Sequence, residues 1–379
     1  MNAKERYNLW VNDARLDEES RQELTAIAGD EKQIEDRFYK DLEFGTGGLR
    51  GILGAGTNRM NVYTVRRAAA GLGDQLIAEG ADACQKGVAI AHDSRRFSRE
   101  FAEDSARVLA KKGIRVYLFD SLRPTPELSF TIKHLGCAAG IVVTASHNPA
   151  EYNGFKAYGA DGGQITPATA DAVLRRMSEI DPLGVEMMDE AEAKAKGLVK
   201  IIGGEVDDAY ISHVLSLRPD PELLSRTGVK LKIVYTPLHG AGNRLVRAAL
   251  ARACRAGTLC PVLSGAALRG QGVEALLDAV VDFLPPPAGD AAGALCGVVF
   301  AVTMDKTMGR GAQVRLYSGA LQNRQAVGES KVTQIRTLRG TRWEDRGALS
   351  AGGIGMVYGL GDVRPGDVLG DASLVPEGR

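Results

Sequence analysis

Two patterns of hydrophobicity follow one another along this sequence, and they change near the proline triplet at residues 285–287. In the first part, short apolar runs alternate with amphipathic helical segments, the repeating unit of a parallel sheet covered on both faces. Three such units are clearest, with predicted strands at 88–91, 116–119 and 140–144 and predicted helices at 100–112, 126–135 and 167–180. The pattern predicts an α/β fold built on a three-layer, mostly parallel sheet.

Further segments flank these three units. A polar helical segment at 3–42 precedes them, and the glycine-rich stretch 45–51 that follows it reads most simply as a flexible connector. A fourth unit begins with the apolar run 229–235, which would be an exposed edge strand without a neighbour. We predict that the later apolar run 259–263 pairs parallel to it through a right-handed crossover.

After residue 295 the pattern indicates strands only, separated by glycine turns, which favours a small all-β barrel. Composition changes as well, because all five histidines precede residue 257 and only Lys306 and Lys331 follow it among the lysines. We therefore predict two architectures in one chain. The predicted domain bounds are 1–205, 206–257, 258–287 and 288–379.

The balance of basic and acidic residues limits the kinds of partner that the chain as a whole could bind. There are 47 basic and 47 acidic residues, so the chain as a whole is not a polycation built for nucleic acid. No apolar run approaches the roughly 20 residues of a membrane span, and the N-terminus lacks the apolar core of a secretory signal. The five cysteines form no CxxC pair that would indicate a zinc site. We expect a cytoplasmic protein with no membrane partner.

The most informative segment is TASHNP at residues 144–149, directly after a predicted buried strand. Ligands of open α/β sheets bind at the carboxyl ends of strands, so Ser146 stands where a reactive hydroxyl would be useful. The alternative is a cap or turn serine. Lys156, shortly after this segment, and Arg50, in the glycine-rich stretch, offer positive charge for a phosphate. No Walker A loop occurs.

Taken together, these segments resemble the phosphoglucomutase/phosphomannomutase family, the α-D-phosphohexomutases. The matching segments are FGTGGLRG (44–51), AHDSR (91–95), TASHNP (144–149), NGFK (153–156) and TPLHG (236–240). The resemblance covers residues 1–254 and implies phosphoryl transfer between O1 and O6 of a hexose phosphate. It implies catalytic roles for Ser146, Lys156, Arg50 and His147, and substrate contacts for Arg95 and His239. It also implies Mg²⁺, with Ser146 as a phosphoserine ligand.

Two parts of that family pattern are missing from the sequence. The aspartate-rich Mg²⁺ loop does not follow TPLHG, and the family's third and fourth domains have no counterpart. Since Mg²⁺ prefers several oxygen ligands, a phosphoserine alone does not suffice. The sequence therefore predicts a mutase-derived chain without full mutase activity.

A second set of segments carries another resemblance: LCPVLSGAAL (259–268), GVEALLDAV (272–280), DKTMGR (305–310), VRLYSG (314–319) and LGD (369–371). On these segments, residues 258–379 resemble the end of the GTPase domain and the β-barrel domain of elongation factor G and the tetracycline-resistance ribosomal protection proteins. The Walker A loop and the Asn-Lys-x-Asp motif of that class are absent, and only the final guanine-contact loop is retained, near residues 265–268, so no GTP is expected. We interpret the chain as a chimera. The alternatives are an active mutase and a ribosome-binding module whose barrel contacts rRNA through Arg310, Arg315, Arg324, Arg336, Arg339 and Arg342.

Overall fold

The computed structural model describes most of the chain and divides it into two compact units, Met1–Arg247 (unit 1) and Ala248–Arg379 (unit 2). The described residues are 1–45, 47–217, 235–255, 270–284, 289–305, 307–340 and 342–376. The predicted pairing of 229–235 with 259–263 lies outside these residues. Among them, no helix is both long and apolar enough to cross a membrane.

Unit 1 opens with three short helices where the sequence pattern predicted one helical segment. They are α1 (Ala3–Asn12), α2 (Glu18–Ala26) and α3 (Glu31–Phe38). The side chains of Asp17 and Asp30 each accept a hydrogen bond from the first turn of a new helix, and these N-caps divide the segment. Trp10 and Phe38 meet edge to face in the small core that these helices share.

Among the described residues, the central sheet of unit 1 has seven strands, in the order β1-β2-β6-β5-β3-β4-β7. Their bounds are Phe44–Gly45 (β1), Gly48–Ile52 (β2), Val88–His92 (β3), Val116–Phe119 (β4), Ala139–Val143 (β5), Tyr152–Gly159 (β6) and Val199–Ile202 (β7). The pairs β3–β4, β3–β5 and β4–β7 are parallel, whereas β1–β2, β2–β6 and β5–β6 are antiparallel. The α/β prediction is confirmed, but the sheet is mixed rather than mostly parallel.

The antiparallel half arises from the glycine-rich stretch, which forms strands instead of a flexible connector. Two glycines allow the backbones to approach. A Cβ at Gly48 would lie 2.0 Å from the Phe155 carbonyl oxygen, and one at Gly154 would lie 2.6 Å from that of Thr144. Because neither position tolerates a side chain, glycine is required for β2 and β6 to pack in this register.

Helices cover both faces of this sheet. They are α4 (Val62–Glu79), α5 (Ala81–Lys86), α6 (Ser98–Lys111), α7 (Thr125–Leu135), α8 (Pro167–Ser178), α9 (Glu190–Ala195) and α10 (Gly204–Ser216). The larger core contains side chains of α4, α6 and α8, and the opposite core contains those of α7 and α10. This gives the three layers that the sequence predicts, although the long helix α4 was not foreseen. The segment 235–242 and helix α11 (Asn243–Arg255) follow.

Unit 2 is a helix followed by strands. Helix α12 spans Val273–Phe283. The strands are β8 (Cys296–Asp305), β9 (Gly309–Ser318), β10 (Ala320–Gln322), β11 (Ala326–Val327), β12 (Ser330–Lys331), β13 (Gln334–Arg339), β14 (Arg342–Asp345), β15 (Ala348–Ser350), β16 (Ile354–Tyr358) and β17 (Val368–Gly370).

Six of these strands form one antiparallel sheet in the order β14-β13-β16-β9-β8-β17, and the pairs β10–β15 and β11–β12 form two ribbons. The sheet and both ribbons contribute to one apolar core, whose members include Val314, Leu321 and Val357. An all-β region is therefore present as predicted. Within the described part of unit 2, however, no pairing joins β14 to β17, so the predicted barrel is an open sheet by its hydrogen bonds.

Candidate active site

The loops after β3 and β5 meet at one edge of the unit 1 sheet. These two strands are neighbours, but the chain leaves β3 towards β4 on one side and later returns to β5 on the other. Such a reversal separates the following connections and opens a crevice at the carboxyl ends of the strands, where α/β proteins bind ligands. Ser146 lies in the loop after β5, and Arg95 lies in the loop after β3.

Ser146 is exposed and has a left-handed backbone conformation, with φ of 57°. Its Oγ lies 3.3 Å from Nδ1 of His147. An imidazole nitrogen at this distance can take the hydroxyl proton when it is the unprotonated tautomer, which makes the serine a better nucleophile. The predicted pair Ser146 and His147 is thus brought together by adjacent positions in one loop.

Arg95, predicted to contact substrate, instead contacts the loop of Ser146. Nη2 donates to the carbonyl oxygens of Ser146 (2.9 Å) and Asn148 (2.6 Å). Nη1 donates to the carbonyl oxygens of Pro149 (2.8 Å) and Tyr152 (3.0 Å). In this structure the guanidinium therefore ties the loop together, and a role for Arg95 in substrate binding stays a prediction.

Asp93 was not singled out from the sequence, yet its carboxylate links both loops. Oδ2 accepts from the Thr144 hydroxyl (2.6 Å), and Oδ1 accepts from the Ser98 hydroxyl (2.7 Å) and the Arg95 amide (2.9 Å). The sequence feature that could have identified Asp93 is its position: it directly follows a predicted buried strand and lies two residues before Arg95. Only the fold reveals that Thr144, 51 positions away, is its partner.

Arg50 and Lys156 share one face of the sheet beside this loop. Lys156 on β6 is directly paired with Gly48 on β2 and Val142 on β5, and Arg50 is paired with Gly154. Paired residues, and residues two apart on one strand, point to the same face. Arg50 also donates from Nη1 to the Asn148 side-chain oxygen (3.3 Å). The two cations predicted from sequence therefore lie on the face that meets the Ser146 loop.

The backbone of His239 contacts the loop after β3, at the same edge of the unit 1 sheet. The Ser94 hydroxyl donates to the His239 carbonyl oxygen at 3.1 Å, and the His239 residue is exposed. All six residues predicted for the site thus belong to segments that meet at the ends of β2, β3, β5 and β6.

The described residues do not fit the Mg²⁺ that the resemblance implies. No three His, Cys, Asp or Glu side chains among them are grouped so that they could hold a metal ion. The carboxylate of Asp93 already accepts hydrogen bonds from Thr144 and Ser98, and it faces the Arg95 guanidinium at 3.4 Å. Since Mg²⁺ prefers several oxygen ligands in octahedral geometry, Asp93 and its neighbours do not supply a magnesium site.

A buried ionic cluster, here called the Arg123 cluster, lies past the end of β4. Arg123 is fully buried and donates to Asp207 from Nε (2.6 Å) and Nη2 (3.1 Å). Arg244 approaches Asp207 at 2.8 Å and Asp120 at 3.2 Å. Glu127 is also fully buried, and its burial together with the neighbouring Asp207 carboxylate raises its pKa to about 8. Glu127 is therefore mostly neutral at pH 7.

Known proteins resemble the part of the chain that carries this site. Residues 41–183 match the family model for phosphoglucomutase/phosphomannomutase, alpha/beta/alpha domain I. The phosphoglucomutase of Staphylococcus haemolyticus is 39% identical over 214 residues, which are 56% of this chain and 37% of that protein. The phosphoglucomutase of Staphylococcus saprophyticus is 38% identical over 210 residues, 55% of this chain and 37% of that protein.

These matches concern the N-terminal region. The chain spans little more than a third of the length of the curated relatives, 37% in both cases. The family model ends at residue 183, so the resemblance of residues 258–379 to translational GTPases stays a prediction.

Proposed function

We propose that unit 1 carries the phosphoserine site of a hexose-phosphate mutase, with Ser146 as the residue that accepts and returns the phosphoryl group. The observation that carries this proposal is the position of the Ser146 hydroxyl, 3.3 Å from His147 Nδ1, within the residues that match the mutase family model. Arg50 and Lys156 on the adjoining sheet face supply positive charge for a phosphate.

The proposed step is the transfer of one phosphoryl group from a hexose bisphosphate. His147 takes the proton from the Ser146 hydroxyl, whose oxygen forms the new bond to phosphorus. The bond between phosphorus and the sugar oxygen breaks, and Lys156 in its ammonium form protonates that oxygen. The products are phosphoserine and a hexose monophosphate. Arg50 would stabilise the charge on the transferring phosphoryl oxygens.

We propose only this half-reaction for the chain, not the complete mutase cycle. The sequence has no aspartate-rich loop after TPLHG, and remote contacts to the sugar normally support the chemistry at the reacting atoms. A chain limited in this way would carry phosphate on Ser146 and exchange it slowly.

Phosphate mapping tests this proposal. The wild-type chain is incubated with glucose 1,6-bisphosphate and Mg²⁺, and phosphorylated peptides are identified by mass spectrometry. We expect phosphate on the peptide containing Ser146, and none there in Ser146→Ala. Ser178→Ala, at the end of helix α8, is the matched control and should label like wild type. A wild-type chain that gains no phosphate at Ser146 contradicts the proposal.

We further propose that residues 258–379 derive from a translational GTPase, joined near residue 257 to a truncated mutase. In this proposal residues 258–287 come from the end of the GTPase domain and residues 288–379 from its β-barrel domain. The antiparallel strands that follow Leu295 in unit 2 support this origin, and no nucleotide binding is proposed for it. The coding DNA, read on single long molecules, tests the junction. Reads that stay continuous across codon 257 are expected for a true fusion, whereas reads that diverge there would contradict it.

A further inference from the structure

The backbone of Ser146 needs an explanation, because it is held where non-glycine residues rarely lie. Only Phe97, Ser146 and Arg324 have positive φ among the described non-glycine residues, and Ser146 has φ of 57°. A left-handed conformation brings the Cβ close to the following carbonyl oxygen, so it persists only when neighbouring contacts determine it.

Two kinds of contact hold this conformation. The Ser146 amide donates to the Thr144 hydroxyl oxygen at 3.0 Å, which fixes the turn from inside the loop. Arg95 Nη2 donates to the Ser146 carbonyl at 2.9 Å, which fixes it from the neighbouring loop. The amide and the carbonyl of the proposed phosphate carrier are therefore both held by side chains.

Arg95 has no donor left for a phosphate. A guanidinium carries five N–H groups, and the four on the terminal nitrogens of Arg95 donate to the four loop carbonyls. The fifth, on Nε, faces Asp93 Oδ2 at 3.4 Å. Its side chain is only 14% exposed, which leaves little of it accessible to a ligand.

Asp93 connects the two kinds of contact. Its carboxylate accepts a hydrogen bond from the Thr144 hydroxyl, which holds the Ser146 amide, and it pairs with Arg95, which holds the Ser146 carbonyl. One carboxylate thus connects the two side chains that hold the Ser146 backbone. The Ser98 hydroxyl, which donates to Asp93, in turn accepts from Asn153 Nδ2 at 3.0 Å. The network thus extends from the end of β3 through the Ser146 loop to the start of β6.

We propose that Arg95 is a positioning residue, which together with Asp93 and Thr144 holds Ser146 in its left-handed conformation and does not itself bind the sugar phosphate. This inference rests on the proposed function of Ser146. It places Arg95 behind the reacting hydroxyl, with its donors directed at the backbone of the loop.

Two readouts in Arg95→Lys test it. Lysine keeps the charge, but its three donors on one atom cannot bridge four carbonyls and the Asp93 carboxylate. We expect amide hydrogen exchange in residues 144–152 to accelerate about tenfold, since the loop opens more often. Phosphoserine formation at saturating glucose 1,6-bisphosphate should slow about tenfold, while the half-saturating concentration stays within about twofold. Arg99→Gln, which removes an exposed cation that pairs with Glu103, is the control and should match wild type.

Thr144 gives a second, conservative test of the same network. Thr144→Val removes the hydroxyl that Asp93 and the Ser146 amide use, whereas Thr144→Ser retains it. We expect faster exchange of the loop in Thr144→Val and wild-type exchange in Thr144→Ser. Thermal unfolding of each variant distinguishes a local change in the loop from failure to fold.

The outcomes separate this inference from the function on which it rests. A raised half-saturating concentration in Arg95→Lys, with unchanged exchange in residues 144–152, would show that Arg95 binds substrate and would overturn the inference. If the wild-type chain is never phosphorylated, the proposed function fails. In that case the hydrogen-exchange measurements alone test the positioning role of Arg95. Accelerated exchange in residues 144–152 supports that role, and unchanged exchange refutes it.

Discussion

The two units place charge differently. Unit 1 encloses the Arg123 guanidinium completely within its fold and pairs it with Asp207 and Asp120, while Arg244 pairs with the same Asp207. Unit 2 keeps its described ion pairs at the surface, where Glu344 lies 4.0 Å from Arg339 and 3.8 Å from Arg346, all three side chains being about half exposed or more. Buried ions need several partners each, whereas exposed ions are solvated by water.

The same difference separates the two sets of residues proposed for function. In unit 1, side chains from loops after different strands meet at Ser146. In unit 2, the arginines considered for rRNA contact separate partners: Arg315 lies over the ring of Tyr317 and Arg336 over that of Tyr358. Arg310 donates to the Val363 carbonyl oxygen. Convergence of distant residues on one point is what makes unit 1 the better candidate for chemistry.

The largest expected effect is the loss of the buried cation, in Arg123→Met. Removing it leaves the carboxylate of Asp207 with fewer partners in a buried place, so the free energy of unfolding of unit 1 should fall by about 3–5 kcal/mol. Each unit holds one of the two tryptophans, Trp10 and Trp343, so urea unfolding followed by Trp10 fluorescence in a Trp343→Phe background reports on unit 1.

The control for this substitution is Arg99→Met, which removes an exposed cation that is 69% accessible. It should change the stability of unit 1 by less than about 1 kcal/mol. A small effect of Arg123→Met, equal to that of the control, would show that the buried cluster contributes no more than a surface pair.

A pH-dependent effect of intermediate size is expected from Glu127→Gln. The pKa of Glu127 rises from 4.5 to about 8 in the folded chain because of burial and the nearby Asp207, with Arg123 and Arg244 opposing the rise. Between these values the folded chain holds a proton that the unfolded chain has released. The contribution of Glu127 to the free energy of unfolding is therefore complete below about pH 4.5. It is lost as the pH rises towards 8, and the total loss is a few kcal/mol.

Glutamine keeps the shape and neutrality of the protonated carboxyl at every pH. We expect the stability of Glu127→Gln, followed by Trp10 fluorescence at pH 5, 6.5 and 8, to fall less than that of wild type as the pH rises. Parallel pH profiles for the two chains would mean that Glu127 is ionised in the fold, contrary to the expectation.

The smallest effect is expected from Glu344→Gln in unit 2. Since its ion pairs are exposed and long, screening by solvent leaves them little energy, and the change in stability should be under about 0.5 kcal/mol. Trp343 fluorescence during urea unfolding measures it. A loss comparable with that of Arg123→Met would remove the contrast between the two units.

Local pattern predicted many elements of the fold well. The strand predicted at 116–119 has those bounds in the structure, and the helix predicted at 126–135 begins one residue earlier, at Thr125. In unit 2, the strand predicted at 331–338 is divided into β12 and β13. The hydrophobic pattern did not predict the glycine-rich strand β2, because such a strand has no alternation of apolar and polar side chains.

The sequence by itself determined most of the strands and helices with clear apolar patterns, that the chain changes architecture, and that Ser146 follows a buried strand, because each depends on neighbours within a few residues. The tertiary structure alone decided that β6 lies antiparallel between β5 and β2, that Arg95 binds the Ser146 loop, and that burial raises the pKa of Glu127. These features depend on contacts between segments tens of residues apart and on the burial that such contacts create, neither of which a local pattern encodes.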